Sequence, residues 1–461
     1  MLKITAEQIA LQYEYMRRVR ERALGGKCFV RTFGCQQNEA DSEQLAGMAR
    51  EMGYDLVDAP EAADLILVNT CAVREHAELR ALSVTGQFKK LKEKNPALVI
   101  VVCGCMVTQE HRMQAIKNSY PYVDILIGTG MLWKFPELLF ERLGGGKRSF
   151  TVDAPEGSLA EGLPLARASK IKNYISIMYG CNNFCSYCVV PYTRGRERSR
   201  ESADILAEAR AAVAAGCREI TLLGQNVNSY RGDVSFPELL SRICEIDGDF
   251  IVRFMTSHPK DASRELIDTI AANPKCAKQF HLPLQSGSAR ILKEMNRRYT
   301  PEGYLALVDY MREKMPDIAI SSDIIVGFPG ETEEEFGETL AMLRRVEFDM
   351  IYSFIYSPRA LTPAASMENQ IPAAEKSARL DTLMNTQNEI SLKKNQSTVG
   401  KLQRVLLEGE SKNDPTMLTG RADSNKLVHI PRTDAAERRI GSFANIRITK
   451  AETFALFGEL E

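Results

Sequence analysis

Short apolar runs alternate with helical stretches along most of this 461-residue chain, and each run ends in a polar or glycine turn. That alternation means βαβ units and a parallel sheet. It occurs in two blocks. In the first, strands are expected at Cys28–Phe33, Asp64–Asn69, Ala97–Val102 and Asp124–Gly128, with helices over 39–52 and 75–94. In the second, strands are expected at Tyr174–Tyr179, Glu219–Leu223, Ile251–Met255, Gln279–Leu284, Ala319–Val326 and Met350–Ile355, with helices such as Ser202–Ala215 and Pro301–Met315 between them. Six such units predict an incomplete (β/α)6 barrel rather than a full eight. A long polar helix over Ala373–Gln396 follows. From Thr398 the texture changes to short runs, Leu402–Leu407, Met417–Arg421, Leu427–Pro431 and Phe443–Thr449, which predict a small all-β barrel.

The expected fold class is therefore α/β. Residues 1–26 form a helical extension, a packing or fraying arm. Residues 27–143 form an N-terminal parallel-sheet α/β domain, 144–170 a linker, 171–396 a barrel core and 398–461 the small β-barrel. The linker carries Gly144-Gly-Gly-Lys147, but the spacing of a phosphate loop is absent.

The chemistry sits in the cysteines. Cys181-Asn-Asn-Phe-Cys185-Ser-Tyr-Cys188 places three thiols in one tight loop directly after an apolar run. An iron–sulfur cubane takes four cysteines, so three leave one iron open, the mark of a site that handles substrate. A structural zinc knuckle is the competing reading, but no fourth Cys or His lies near. In the first block Cys35, Cys71 and Cys105 each follow a strand and are 36 and 34 residues apart, one βα unit each. Ligands bind beyond the carboxyl ends of such strands, so these three are expected to converge on one edge and hold a second cluster. Cys28 and Cys103 read as small buried hydrophobes, although Cys103, two residues from Cys105, has a side chain that could swing to the same edge.

Composition excludes other classes. Eleven cysteines in a chain with no apolar signal core argue for metal or redox chemistry in the cytoplasm rather than disulfides. No run of 18 apolar residues suggests a membrane span. The net charge is −1, so nucleic-acid binding must come from local patches. No signal for an oligomer appears, and a monomer is expected.

The Cys181–Cys188 frame, with Tyr187 before its last cysteine, resembles the radical S-adenosylmethionine (SAM) enzymes. From about residue 27 to 461 the chain resembles their methylthiotransferase subgroup, most closely its MiaB tRNA branch. The resemblance is carried by Thr32-Phe-Gly-Cys-Gln-Gln-Asn38, Asn69-Thr-Cys-Ala-Val-Arg-Glu-His-Ala-Glu78, Gly104-Cys-Met106, the segment Gly180–Arg200, Ser257-His-Pro259, His281–Gly287, Met295–Thr300 and Ile325–Glu331. The last barrel resembles the family's TRAM domain through Gly420-Arg421, Asn425 and Val428. Gln37 stands where the branch usually has Met, and Ala422 where it usually has Thr.

The resemblance implies a tRNA-modifying enzyme with two 4Fe–4S clusters. Cys181, Cys185 and Cys188 would hold the one that chelates SAM; Cys35, Cys71 and Cys105 would hold an auxiliary one that carries the sulfur. One SAM would methylate that sulfur. A second would yield a 5′-deoxyadenosyl radical, which removes hydrogen from carbon 2 of an isopentenylated adenosine beside the anticodon, at tRNA position 37. An aryl C–H is too inert for acid–base chemistry, so a cofactor must supply the radical. The two cysteine sets are expected to enclose the base between them. Implied SAM contacts are Tyr187, Gln225, Asn226, Ser257, Gln285, Ile325 and Gly327. Candidate RNA contacts are Arg194, Arg196, Arg198, Arg200, Arg297, Arg298 and Arg421; a charge run is also a common solvated face. The implied partners are tRNA and an unidentified electron donor. Competing readings are the sister branch that modifies an aspartate of a ribosomal protein, and a zinc-stabilised RNA-binding protein without catalysis.

Overall fold

The structure, a computed structural model, describes residues 2–461 apart from Leu24, Arg74 and 153–157. The chain divides into two compact units. One comprises Met1–Ser169, Ser176–Phe184 and Cys188–Arg200; the other comprises Lys170–Ile175, Cys185–Tyr187 and Glu201–Glu461.

In the first unit six described strands form one sheet, in the order Asp55–Val57, Lys27–Thr32, Leu65–Thr70, Val99–Gly104, Ile125–Ile127, Ser149–Thr151, with parallel pairing throughout. Leu65–Thr70 and Val99–Gly104 are buried at every position, because helices cover both faces of a parallel sheet. Alternate residues divide between two cores. Leu65, Leu67, Val99, Val101 and Ile125 pack with Met16, Leu45, Met48 and Leu139. Ile66, Val68, Ile100, Val102 and Leu126 pack with Phe88 and Ile116 on the other face.

Two strands of this sheet, Asp55–Val57 and Ser149–Thr151, were not expected. Each has only three residues, too few to show a period. The helix expected over 39–52 begins at Gln36, and that expected over 75–94 breaks into Glu75–Gln87 and Lys89–Lys94. The N-terminal helix, Ala6–Arg22, opens on a capping box between Thr5 and Gln8 and buries Met16 and Val19. It is a packed element rather than a fraying arm. Within the stretch read as a linker, Ala168 N–H donates to Glu43 Oε1 at 2.9 Å and Arg167 pairs with Glu43 Oε2 at 2.9 Å. The backbone runs so close to the helix that a Cβ on Gly47 would lie 2.3 Å from Pro164 O.

The second unit carries the six barrel strands in two sets of three: Lys172–Ser176, Glu219–Leu223 and Ile251–Phe254, then Gln279–His281, Ala319–Val326 and Met350–Ile355. Between the sets a short bridge remains, with Ala277 N–H donating to Val252 O at 2.9 Å. The helix Ala373–Gln396 follows. The C-terminal domain closes as a five-stranded barrel, since Leu456–Leu460, a strand not expected, pairs with both Leu427–Pro431 and Phe443–Ala451. Arg253 fastens this barrel to the core: Nε donates to Glu219 at 2.8 Å, while Nη1 and Nη2 donate to the carbonyls of Asp423 and Ala422 at 2.7 Å each. The contact uses the Ala422 carbonyl, so it is indifferent to the side chain at that position. Among the described residues no helix is long and apolar enough to cross a membrane.

Candidate active site

The first unit brings Cys35, Cys71 and Cys105 to one edge of its sheet. Cys35 caps the N-terminus of the helix Gln36–Glu51. Cys71 follows the strand Leu65–Thr70, and Cys105 follows Val99–Gly104. Two glycines make this convergence possible. Gly34, at φ +130°, leaves no room for a Cβ, which would meet Asn38 Oδ1 at 2.7 Å and Cys71 Cβ at 2.8 Å. Gly104, at φ +98°, would place one 2.4 Å from Asn69 Oδ1.

A buried amide network holds the edge from behind. Asn38 Nδ2 donates to Asn69 Oδ1 at 3.1 Å and to Thr70 O at 3.0 Å, and Asn69 Nδ2 donates to Asn38 O at 2.8 Å. Cys35 Sγ lies 3.3 Å from Asn38 Oδ1, and Val73 N–H donates to Cys71 Sγ at 3.3 Å. Burial pushes the Cys105 thiol up to about 12; Arg194 opposes this, while Cys71, Cys35 and Asp41 add to it. Cys71 and Cys35 thus both lie near Cys105. Among the described residues no three Cys, His, Asp or Glu side chains already close on a single ion. Three thiols at one edge can each take one iron of a cubane and leave the fourth iron open. Cys103 is fully buried in the core with Cys28, Leu67 and Val101, so its side chain packs rather than joining the edge.

The segment around Cys181 is a hairpin in the same unit. Met178–Tyr179 pairs antiparallel with Arg198–Ser199, and Cys181 N–H donates to Gly195 O at 3.1 Å. Gly180 is required, since a Cβ there would lie 2.0 Å from Arg196 O. Asn183 N–H points to Cys181 Sγ at 3.5 Å. Cys188 is half-buried.

Cys185, Ser186 and Tyr187 belong to the second unit. Ser186 donates through N–H to Met295 O at 3.1 Å and through Oγ to Glu294 O at 2.8 Å, and accepts from Ala364 N–H at 2.8 Å. Arg297 Nη1 lies 3.4 Å from Cys185 Sγ. Tyr187 packs against the cluster containing Ile325, Met295 and Tyr356.

The strand ends of the second unit carry the residues expected to meet SAM. Val227 N–H donates to Thr256 O at 2.9 Å, Asn228 Nδ2 to His258 O at 2.9 Å, and His258 N–H to Asn228 Oδ1 at 2.8 Å. These bonds bring the turns of Asn226 and Ser257 together. Both side chains are buried, and among the described residues Asn226 Oδ1 and Ser257 Oγ have no hydrogen-bond partner. Buried polar atoms left unpaired are costly, and a polar ligand here would satisfy both. Thr256 and Gln285 hold φ of +67° and +68°; such strain in non-glycine residues concentrates at functional sites. Gly327 differs from the rest. Its N–H donates to Glu331 Oε2 at 2.7 Å, and Lys376 crowds its α-carbon, so its part is to shape the turn. Gln225 is half-buried at the end of Glu219–Leu223. His258 is held neutral: burial, then Arg297, Lys260 and Arg298, push it down to about 2.

Four of the seven arginines read as RNA contacts are buried. Arg194 pairs with Asp41 at 2.7 Å; Arg198 donates to the carbonyls of Arg194 and Arg196; Arg200 forks onto Glu161 at 2.7 and 2.8 Å; Arg297 faces Cys185. These are corrections: the four guanidinium groups are buried inside the protein and are not offered to phosphate. Arg196 and Arg298 are exposed and Arg421 is half-buried. Arg196 lies over the Phe184 ring at 4.4 Å. Asp41 was not singled out in the sequence. Its signal is a carboxylate one helical turn after Gln37 and Asn38, on a buried helix face that also carries Ser42 and Glu43.

Models of three families match: the radical SAM superfamily over residues 175–343, an uncharacterized protein family (UPF0004) over 27–128, and the TRAM domain over 396–460. The tRNA-2-methylthio-N(6)-dimethylallyladenosine synthase of Thermoanaerobacter pseudethanolicus is 48% identical over 463 residues, covering 99% of this chain and 98% of the relative. The synthase of the same name from Clostridium tetani is 49% identical over 438 residues, covering 94% and 96%. Among solved structures, the radical S-adenosylmethionine methyltransferase TsrM from Kitasatospora setae, with cobalamin and a 4Fe–4S cluster bound, superposes with a TM-score of 0.55 at 15% identity, covering 74% of this chain and 77% of that one, which shows a shared fold. With near-complete coverage at this identity, the chain belongs to the family of tRNA-2-methylthio-N(6)-dimethylallyladenosine synthases.

Proposed function

We propose that this protein is a tRNA-modifying enzyme that uses SAM and radical chemistry to attach a methylthio group to carbon 2 of N6-isopentenyladenosine next to the anticodon, at tRNA position 37. The observation that carries the reading is the second cysteine set. A radical SAM enzyme needs only the Cys181, Cys185, Cys188 frame; Cys35, Cys71 and Cys105 on a separate sheet edge supply what sulfur insertion adds.

When bound, a 4Fe–4S cluster and SAM supply a 5′-deoxyadenosyl radical, and an auxiliary 4Fe–4S cluster supplies the sulfur. Cys181, Cys185 and Cys188 ligate the first, and Cys35, Cys71 and Cys105 the second. Asn226 Oδ1 and Ser257 Oγ, unpartnered and buried, hold polar groups of SAM, with Gln225, Gln285, Tyr187 and Ile325 lining the same strand ends. Neutral His258 orders the Ser257 turn and moves no proton, since its Nδ1 accepts from Lys260 N–H at 3.2 Å. Arg196, Arg298 and Arg421 meet phosphates of the anticodon loop, whose bases can be splayed out for recognition. The protein works as a cytoplasmic monomer with a low-potential one-electron donor.

The test is mass spectrometry of tRNA nucleosides and ribosomal proteins from a deletion strain carrying wild-type protein or Cys71→Ala. The proposal expects isopentenyladenosine without the methylthio group in the deletion and in the Cys71→Ala strain, and full modification with wild type. Persistence of the methylthio nucleoside in the deletion, or loss of a ribosomal-protein modification instead, would overturn it.

A further inference from the structure

Arg297 is a deeply buried cation of an unusual kind. Four other buried arginines have carboxylates at ion-pair distance: Arg194 with Asp41 at 2.7 Å, Arg200 with Glu161 at 2.7 Å, Arg253 with Glu219 at 2.8 Å and Arg379 with Glu331 at 2.8 Å. Among the described residues Arg297 has none. Its Nη1 points to Cys185 Sγ at 3.4 Å, Nη2 donates to Pro283 O at 3.0 Å, and Nε reaches Tyr299 Oη at 3.2 Å. Tyr299 Oη in turn donates to Leu284 O at 2.6 Å. Burial opposes the guanidinium charge, and Tyr299, Tyr187 and Cys185 favour it.

A buried guanidinium without a counter-ion is strongly unfavourable. Among the described residues the groups at hydrogen-bond distance are the Pro283 carbonyl, the Tyr299 hydroxyl, which burial keeps protonated, and the sulfur of Cys185, which carries a full compensating charge when it ligates a metal as thiolate. The fork is planar and rigid, and with Nη2 and Nε both engaged on fixed partners, Nη1 is aimed at that sulfur. Hydrogen bonds and positive charge at a cluster sulfur stabilise the more negative, reduced state.

We propose that Arg297 is the buried counter-cation of the centre held by Cys181, Cys185 and Cys188, a positioning residue that fixes Cys185 and raises the reduction potential of that centre. The proposal rests on the reading of those cysteines as 4Fe–4S ligands. The step it affects is the one-electron reduction of the cluster from its 2+ to its 1+ state, with the electron drawn from an external reductant and no proton or leaving group involved.

The test is potentiometry of the reconstituted full-length chain with dithionite and mediators, followed by electron paramagnetic resonance, in a Cys35→Ala/Cys71→Ala/Cys105→Ala background so that one cluster is read. Arg297→Met is expected to make reduction about tenfold less favourable, a midpoint 59 mV more negative for a one-electron couple. Arg297→Lys, which keeps the charge and loses the fork, should recover most of that shift, and the exposed Lys293→Met should change nothing. An unchanged midpoint in Arg297→Met, or a folded Arg297→Lys protein shifted as far as Arg297→Met, would overturn the proposal. If Arg297→Met loses its iron, retention of iron and midpoint by Arg297→Lys supports the proposal, and loss of iron from both folded variants overturns the charge role. Full iron in Cys181→Ala/Cys185→Ala/Cys188→Ala would instead refute the cluster reading itself, an outcome separate from every Arg297 result.

Discussion

Arg194 Nη2 lies 2.7 Å from Asp41 Oδ2, with both side chains sealed from solvent. The pair ties the segment after Cys188 to the helix that Cys35 caps. Burial opposes the Arg194 charge, but Asp41, Cys105 and Cys35 outweigh it. Removing one member strands the other. Asp41→Asn or Arg194→Met should cost about 3–5 kcal/mol, read as a lower denaturation midpoint, while Arg194→Met/Asp41→Leu should recover most of the loss.

The unpartnered Asn226 Oδ1 and Ser257 Oγ are predicted to bond SAM. Ser257→Ala should weaken SAM binding about tenfold, the worth of one hydrogen bond of ~1.4 kcal/mol, with iron content unchanged. Anaerobic equilibrium dialysis of SAM against reconstituted protein measures it. Unaltered affinity would remove Ser257 from the site.

The backbone at Gly34 admits no side chain. Gly34→Ala should displace Cys71 or Asn38 and empty the auxiliary site alone, lowering iron by about four atoms per chain, one cubane. Iron analysis, with the SAM-responsive paramagnetic signal as control, reads this directly.

His258 is held near 2 in the folded protein, against about 6.5 when unfolded. Its folded value is depressed, so below pH 6.5 the unfolded chain takes up a proton that the native state refuses. Stability should therefore fall by up to ~1.4 kcal/mol per pH unit from this group as pH drops from 6.5 toward 2, with no effect above 6.5. Urea unfolding of wild type and His258→Gln at pH 7.5 and 5.5 tests this. The wild type should lose about 1 kcal/mol more than the variant between the two pH values.

Arg196 and Arg298 are exposed. Their Ala variants should weaken tRNA binding and each reduce the slope of log affinity against log salt by about one. Arg198→Ala and Arg200→Ala should act on folding stability instead.

The meeting of Cys35, Cys71 and Cys105 at one sheet edge was legible because each closes an apolar run, and a parallel sheet brings such positions together. The arginines were misread because their counter-charges are remote in the chain: Asp41 is 153 residues from Arg194, and Glu161 is 39 residues from Arg200. Four arginines in seven residues looked like a solvated basic face; the hairpin turns three of them inward. The missed edge strands were too short to carry a period, and the fifth strand of the last barrel, Leu456–Leu460, follows the four-residue turn Glu452-Thr453-Phe454-Ala455, whose mix of polar and apolar residues hid its start. Asn38 and Asn69, which hold the cysteine edge, have no local pattern that separates a buried amide from a turn residue.

The central claim is that two separate cysteine sets hold two clusters. Iron and acid-labile sulfide analysis of anaerobically reconstituted protein tests it most directly. The account predicts about eight irons per chain for wild type, and about four for each of Cys35→Ala/Cys71→Ala/Cys105→Ala and Cys181→Ala/Cys185→Ala/Cys188→Ala. Bound zinc in place of iron, or a triple variant that keeps the full wild-type complement, would contradict it.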